Sequence, residues 1–405
     1  MTSTIVLTCP KFIAPILKRE VEELGYTVNA VHVTGVEIEG TFQDVMRLNL
    51  LLRTAHRVLW LVKRWEAHTP DDLFQTARSI EWENYIDENG YVCIVSSVDN
   101  PTITNTQFAN LKLKDAIVDR IRSVTGKRPD SGSDTEKAVV FLFWKGSECV
   151  VYMDTSGTPI SKRGYRQQPH KAPLNELLAS AIILATKWDR KSSFVNPMCG
   201  SGTLAIEAAM IARNIPSQYR RVNFGFMHIK SFDKAQWEEL RRMERRKEIS
   251  ELDFSITASD RDGQAVSAAR SNARSAGVMN DLDIRICDFA KTPIPEGDGV
   301  IVLNPEYGKR LGVDTELELT YQRIGDWFKK SCTGKTGYVF TGNLDLAKTI
   351  GLKPSKRTEY FNGDIECRLF EYEMYAGTKR ITEEVSPLAK KVEDAYKLHE
   401  LNDDV

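Results

Sequence analysis

The segment Phe194-Val-Asn-Pro-Met-Cys-Gly-Ser-Gly-Thr203 runs directly into an Ala-rich stretch, Leu204 to Arg213. An apolar strand that empties into two closely spaced glycines and then a helix leaves few architectures open. Gly200 and Gly202 let the main chain approach a ligand, and the helix start offers unbonded N–H groups to a carboxylate or phosphate. The surrounding chain repeats the alternation. Short buried strands are predicted at Ser193–Val195, Ser255–Ala258, Leu282–Ile286, Val300–Leu303 and Tyr338–Thr341, with helical segments between them. That order predicts a mostly parallel sheet with right-handed crossovers.

The second of these strands ends at Asp260 and Asp262, acidic groups suited to accept hydrogen bonds from ribose hydroxyls across a switch point in the sheet. Asp288 and Phe289 follow the third strand and are candidates to flank an adenine ring. Gly200-x-Gly-x-x-Ala205 also satisfies a loose dinucleotide pattern. A nicotinamide site, however, expects an acid about twenty positions further on. Arg220 and Arg221 stand there, which argues against it.

The fourth strand ends in Asn304-Pro-Glu-Tyr-Gly308, a rigid turn carrying an amide, a carbonyl and an aromatic ring. An exocyclic amine on a base is a poor nucleophile because its lone pair is delocalised into the ring. The side-chain oxygen of Asn304 and the main-chain carbonyl of Pro305 can each accept one N–H, localising that pair and stabilising the charge that develops on nitrogen. Tyr307 can stack on a base drawn out of its helix or loop. The same acceptors suit guanine N2, adenine N6 or a glutamine amide, and a plain turn after a strand stays open as well.

Upstream, the order strand (Ile5–Leu7), helix (Lys11–Leu24), strand pair around Gly35 (Val31–Ile38), helix (Phe42–Leu52), strand (Val58–Val62) predicts a small ferredoxin-like βαββαβ sandwich. A second α/β unit starts near Asp71, with strands at Val92–Ser96, Ala138–Trp144 and Cys149–Met153 and a helix at Gln107–Arg122. Pro129 to Lys137, rich in Asp, Ser and Gly, reads as a loop, and Asp154 to Pro159 as a boundary. The divisions expected are 1–66, 67–158, 159–379 and a charged tail, 380–405.

Composition then removes whole classes. Seven scattered cysteines without a C-x-x-C pair argue against a disulfide framework or zinc cluster and for a reducing, cytoplasmic setting. Six dispersed histidines give no H-E-x-x-H spacing, so no metal site is expected. No apolar run has the length of a membrane span, and Met1 to Lys11 lacks the pattern of a secretory signal. A net charge of −1 excludes a non-specific nucleic-acid binder that holds on by bulk charge, leaving local patches at Lys162–Lys171 and Lys112–Arg128.

Taken together, Lys162-Arg-Gly-Tyr-Arg166, Ala172-Pro-Leu-Asn-Glu176, the loop Asn196 to Thr203 with Glu207, Asn304 to Tyr307, and Asn362-Gly-Asp-Ile-Glu-Cys-Arg368 resemble the THUMP-containing class I, Rossmann-type methyltransferases that modify guanine N2 in large-subunit ribosomal RNA. The resemblance covers nearly the whole chain. It implies an α/β fold in which ferredoxin-like and THUMP RNA-binding modules precede a mostly parallel seven-stranded sheet. It also implies S-adenosylmethionine as cofactor, held by Asn196, Met198, Gly200, Gly202, Thr203, Asp260, Arg261, Asp288 and Phe289, and RNA gripped through Arg163, Arg166 and Lys171, with His170 beside them. Asn304, Pro305 and Tyr307 are the catalytic residues so implied. The chain departs from the family at Asn196, where Asp is usual, and at Glu306, where Pro is usual. Those departures motivate a rival reading, a non-catalytic RNA-binding or ribosome-assembly factor.

Overall fold

A computed structural model of the chain describes residues 2–103, 105–167, 173–307 and 314–374. Its first sheet holds eight strands: β1 (Thr2–Thr8), β2 (Val28–His32), β3 (Gly35–Thr41), β4 (Arg57–Glu66), β5 (Tyr91–Asp99), β6 (Asp130–Gly132), β7 (Ala138–Lys145) and β8 (Glu148–Asp154). The order across it is β2-β3-β1-β4-β8-β7-β5-β6. Helices α1 (Ala14–Glu23) and α2 (Phe42–Leu51) complete the βαββαβ unit, while α3 (Pro70–Arg78) and α4 (Thr106–Thr125) belong to the second. Local chemistry sets the starts of α2 and α3. Thr41 with Asp44, and Thr69 with Asp72, form reciprocal capping boxes. On α4, Leu113, Ile117 and Ile121 recur every four residues and are all buried, forming one apolar face.

Two features lie beyond the sequence reading. The two N-terminal units share one sheet, because β4 pairs antiparallel with β8 from Leu59 opposite Asp154 to Glu66 opposite Glu148. Paired main chains make the two units one layer. Within the predicted loop, Asp130–Gly132 is a short edge strand parallel to β5. Its residues have low strand propensity, so long-range pairing overrides them, helped by Tyr91, whose hydroxyl accepts from the Asp134 N–H at 3.1 Å.

The second sheet contains β9 (Ser193–Pro197), β10 (Ile256–Asp260), β11 (Leu282–Ile286), β12 (Gly299–Leu303), β13 (Thr336–Thr341), β14 (Lys356–Asn362) and β15 (Ile365–Glu373), in the order β11-β10-β9-β12-β13-β15-β14. The pairings from β11 across to β13 are parallel, and those of β15 with β13 and β14 are antiparallel. Helices α5 (Glu176–Ala185), α6 (Thr203–Ala212), α7 (Lys234–Arg245), α8 (Gly263–Ala276), α9 (Asp314–Ser331) and α10 (Leu344–Thr349) precede or connect the strands, α6 and α7 both between β9 and β10. Strand order reverses between β9 and β12, and in such sheets ligands bind beyond the strands' carboxyl ends at that reversal. Because Thr341 at the end of β13 faces Arg368, the turn joining β14 to β15 overhangs the same rim.

Candidate active site

Every residue of β9 is buried. The chain then turns through Met198 and Gly200, both with φ of 54°, and Gly202, with φ of 84°. At Gly202 a Cβ would stand 2.9 Å from that of Ala269 on α8, so a side chain there would push the loop off the next helix. At Gly200 a Cβ would meet none of the described residues within 4 Å, which leaves space against the loop among them. Thr203 begins α6 behind Gly202, and among the described residues no side chain caps the helix. Its opening N–H groups are therefore uncommitted to a cap, the arrangement that favours an anionic ligand.

Across the switch point, Asp260 ends β10 and braces the loop. Its two carboxylate oxygens accept the Gly200 N–H at 2.9 Å and the Asp262 N–H at 3.0 Å. Each oxygen keeps a second lone pair, so ribose hydroxyls can bind as well. Arg261 is exposed beside it. Asp262 is used differently from the expectation: its side chain caps α8 by accepting from the Gln264 N–H at 2.8 Å.

The adenine side also differs. Phe289 is only 4% exposed, edge-on to Trp327 with ring centroids 5.8 Å apart and under the Arg323 guanidinium, so it belongs to the core. Asp288 accepts from the Ala290 N–H at 3.0 Å and pairs with Arg323 at 2.8 Å. Ile286, in register with Asp260 and 59% exposed, presents the apolar surface at this edge instead. It escaped the sequence reading because the last residue of an apolar strand looks like core.

On the other side of β9, Asn304 follows β12. The turn is fixed from behind: the Tyr321 hydroxyl donates to the Glu306 carbonyl at 3.3 Å and lies 2.7 Å from Thr341 Oγ1. Pro305 is buried and Glu306 exposed. Tyr307 accepts at its hydroxyl from Asn362 Nδ2 at 2.8 Å and stands edge-on to Phe340. Its ring seats over Gly342, where a Cβ would come within 2.8 Å of it. Burial raises the tyrosine's pKa well above its ordinary value. The Asn304 Oδ1 is buried and has no hydrogen-bond partner among the described residues. A buried acceptor left unpaired costs about 1–3 kcal/mol, a penalty that an incoming N–H would relieve.

Two expected binding residues serve the scaffold. Arg163 is 3% exposed and donates to the carbonyls of Ile160 and Arg53, with Nε 3.8 Å from Glu207 on α6. Burial removes it from any contact with RNA phosphates. Asn196 is fully buried and donates from Nδ2 to the Val302 carbonyl at 2.8 Å, tying β9 to β12, while its Oδ1, like that of Asn304, has no hydrogen-bond partner among the described residues. Arg166 pairs with Glu176 at 3.1 Å and donates to Ser201 Oγ at 3.3 Å, which braces the glycine loop. His170 and Lys171, Gly308 and the expected tail 380–405 lie outside the described residues. Among those residues no three His, Cys, Asp or Glu side chains gather as a metal site, and no helix is long and apolar enough to cross a membrane.

Comparison with known proteins matches three segments to family profiles. Residues 163–371 match an RMKL-like methyltransferase domain, 4–59 an RlmL ferredoxin-like domain and 67–154 a THUMP domain. The chain is 35% identical over 387 residues to ribosomal RNA large subunit methyltransferase K/L of Psychromonas ingrahamii, covering 94% of the chain and 51% of that relative. It is 30% identical over 380 residues to the protein of the same name in a Marinomonas species, covering 92% and 53%. The chain thus spans about half the length of the curated relatives it matches. A solved structure of SMU.472, described as a candidate methyltransferase and complexed with SAH, superposes with a TM-score of 0.85 at 27% identity, covering 93% of this chain and 99% of that one.

Proposed function

We propose that this chain, which belongs to the RMKL-like methyltransferase family, methylates guanine N2 in large-subunit ribosomal RNA with S-adenosylmethionine as donor. The observation that carries the reading is the unpartnered Asn304 Oδ1 beside the glycine-lined switch point. The open space at Gly200, the uncapped start of α6 and the acceptors of Asp260 suit the cofactor's amino-acid and ribose groups, with Ile286 against its adenine. When bound, the cofactor supplies an electrophilic methyl group.

The chain's own residues prepare the nucleophile. Asn304 Oδ1 accepts one N–H of the amine and the Pro305 carbonyl the other, which holds the lone pair out of conjugation with the base. As positive charge grows on nitrogen the same dipoles stabilise it, at about 3 kcal/mol for each fixed group. Tyr307, fixed by Asn362, stacks on the base. Glu306 points to solvent, so the departure from the family's proline leaves both acceptors in place. The fused ferredoxin-like and THUMP sheet delivers structured RNA to the pocket, and the reaction takes place in the cytoplasm.

The test is methyl transfer from labelled S-adenosylmethionine to ribosomal RNA, followed by mass spectrometry of the digested nucleosides. N2-methylguanosine is expected; N6-methyladenosine alone would reassign the base, and no modified nucleoside would favour the assembly-factor reading.

A further inference from the structure

We propose that Phe12 and Phe361 form a stacking subsite for an unpaired RNA base at the rim of the active site. The inference rests on the RNA reading above. Phe12 lies between β1 and α1 with φ of 69°, in the left-handed region that bulky residues avoid. Such a conformation costs on the order of 1–3 kcal/mol and persists where something over-determines it. Core packing does not supply the reason, since 43% of Phe12 remains exposed while its neighbour Ile13 is buried. Its ring instead lies on Phe361 of β14, with centroids 5.7 Å apart and planes 17° from parallel.

The position of Phe361 gives that stack a meaning. Alternation along β14 points Tyr360 and Asn362 to one face of the strand and Phe361 to the other. Asn362 binds the Tyr307 hydroxyl, so the stack stands one residue from the contact that fixes the base-stacking tyrosine. Ile365, paired with Asn362 across the hairpin, is 50% exposed and stands on the opposite, Tyr307 face beside Gly342, so apolar surface flanks both sides of this strand end. Lys11, next to Phe12, is exposed and has no ion-pair partner among the described residues. Flat aromatic faces with a free cation beside them match a base and its phosphate. A lipid or a folded protein surface would need a broader apolar patch than these few side chains offer.

The test uses the full chain and a short stem-loop RNA carrying 2-aminopurine in its loop, whose fluorescence falls when the base stacks. The wild-type chain should quench it. Phe12→Ala and Phe12→Leu should both lose the quench and bind the RNA roughly five- to a hundredfold more weakly, while Phe12→Trp retains both. Cofactor affinity and the unfolding midpoint of Phe12→Leu should match wild type. A Phe12→Leu variant that binds and quenches normally would overturn the subsite, because an aliphatic filler cannot replace a stacking face. A wild-type chain that methylates RNA without quenching also overturns it and leaves the methyl-transfer reading standing. Quenching with no methyl transfer would do the reverse.

Discussion

The side-chain amide of Asn362 donates to the Tyr307 hydroxyl at 2.8 Å and so joins the β14–β15 hairpin to the turn that follows β12. Removing one neutral hydrogen bond of this kind is worth about 1 kcal/mol. Asn362→Ala should lower kcat for RNA roughly five- to tenfold and leave cofactor affinity unchanged. Steady-state kinetics with calorimetric titration of the cofactor would check both, and an unchanged kcat would detach the hairpin from catalysis.

Asp260 carries a different load, because its carboxylate holds the Gly200 and Asp262 N–H groups. Asp260→Ala should weaken cofactor binding about tenfold or more, with a smaller effect on turnover at saturation. Calorimetric affinity within twofold of wild type would show that neither loop nor ribose depends on it.

Arg163 sits fully buried beside Glu207, and removing one partner of a buried pair leaves the other uncompensated. Arg163→Met should destabilise the fold by about 3–5 kcal/mol, and adding Glu207→Gln should recover most of that. Denaturant unfolding measures both. A stable Arg163→Met chain that fails to bind RNA would return this residue to the interface.

The contrast between Arg163 and Asn304 shows what the sequence could and could not disclose. Asn304, Gly200 and Asp260 were legible because each ends or closely follows an apolar strand, and strand ends at a switch point face a ligand. Arg163 stands in a basic run, Lys162 to Arg166, and such runs read as solvated; only the long-range packing of Glu207 and the Arg53 carbonyl reveals its burial. Phe289 is hidden for the same reason, since its burial depends on α9, where Trp327 resides. The eight-stranded sheet was legible as two halves, whereas the pairing of β4 with β8 leaves no local mark.

His56 brings a pH dependence. Burial, with Arg57 and Lys162 nearby, lowers its pKa from 6.5 to about 4, and its Nδ1 lies 3.1 Å from Ser161 Oγ. The unfolded chain therefore takes up a proton there first as pH falls. Stability contributed by neutral His56 is present above about 6.5 and is lost progressively toward 4, by on the order of 3 kcal/mol. Unfolding midpoints measured across that window should fall less steeply for His56→Gln than for wild type; parallel curves would mean that other groups govern acid sensitivity.

In the proposed reaction Asn304 Oδ1, buried and without a hydrogen-bond partner among the described residues, receives the amine of the substrate base. The decisive measurement is single-turnover methyl transfer to ribosomal RNA by Asn304→Ala, with cofactor affinity determined in parallel. A rate at least two orders of magnitude below wild type, with cofactor affinity nearly unchanged, is the predicted result. Methyl transfer within a few-fold of wild type would contradict it.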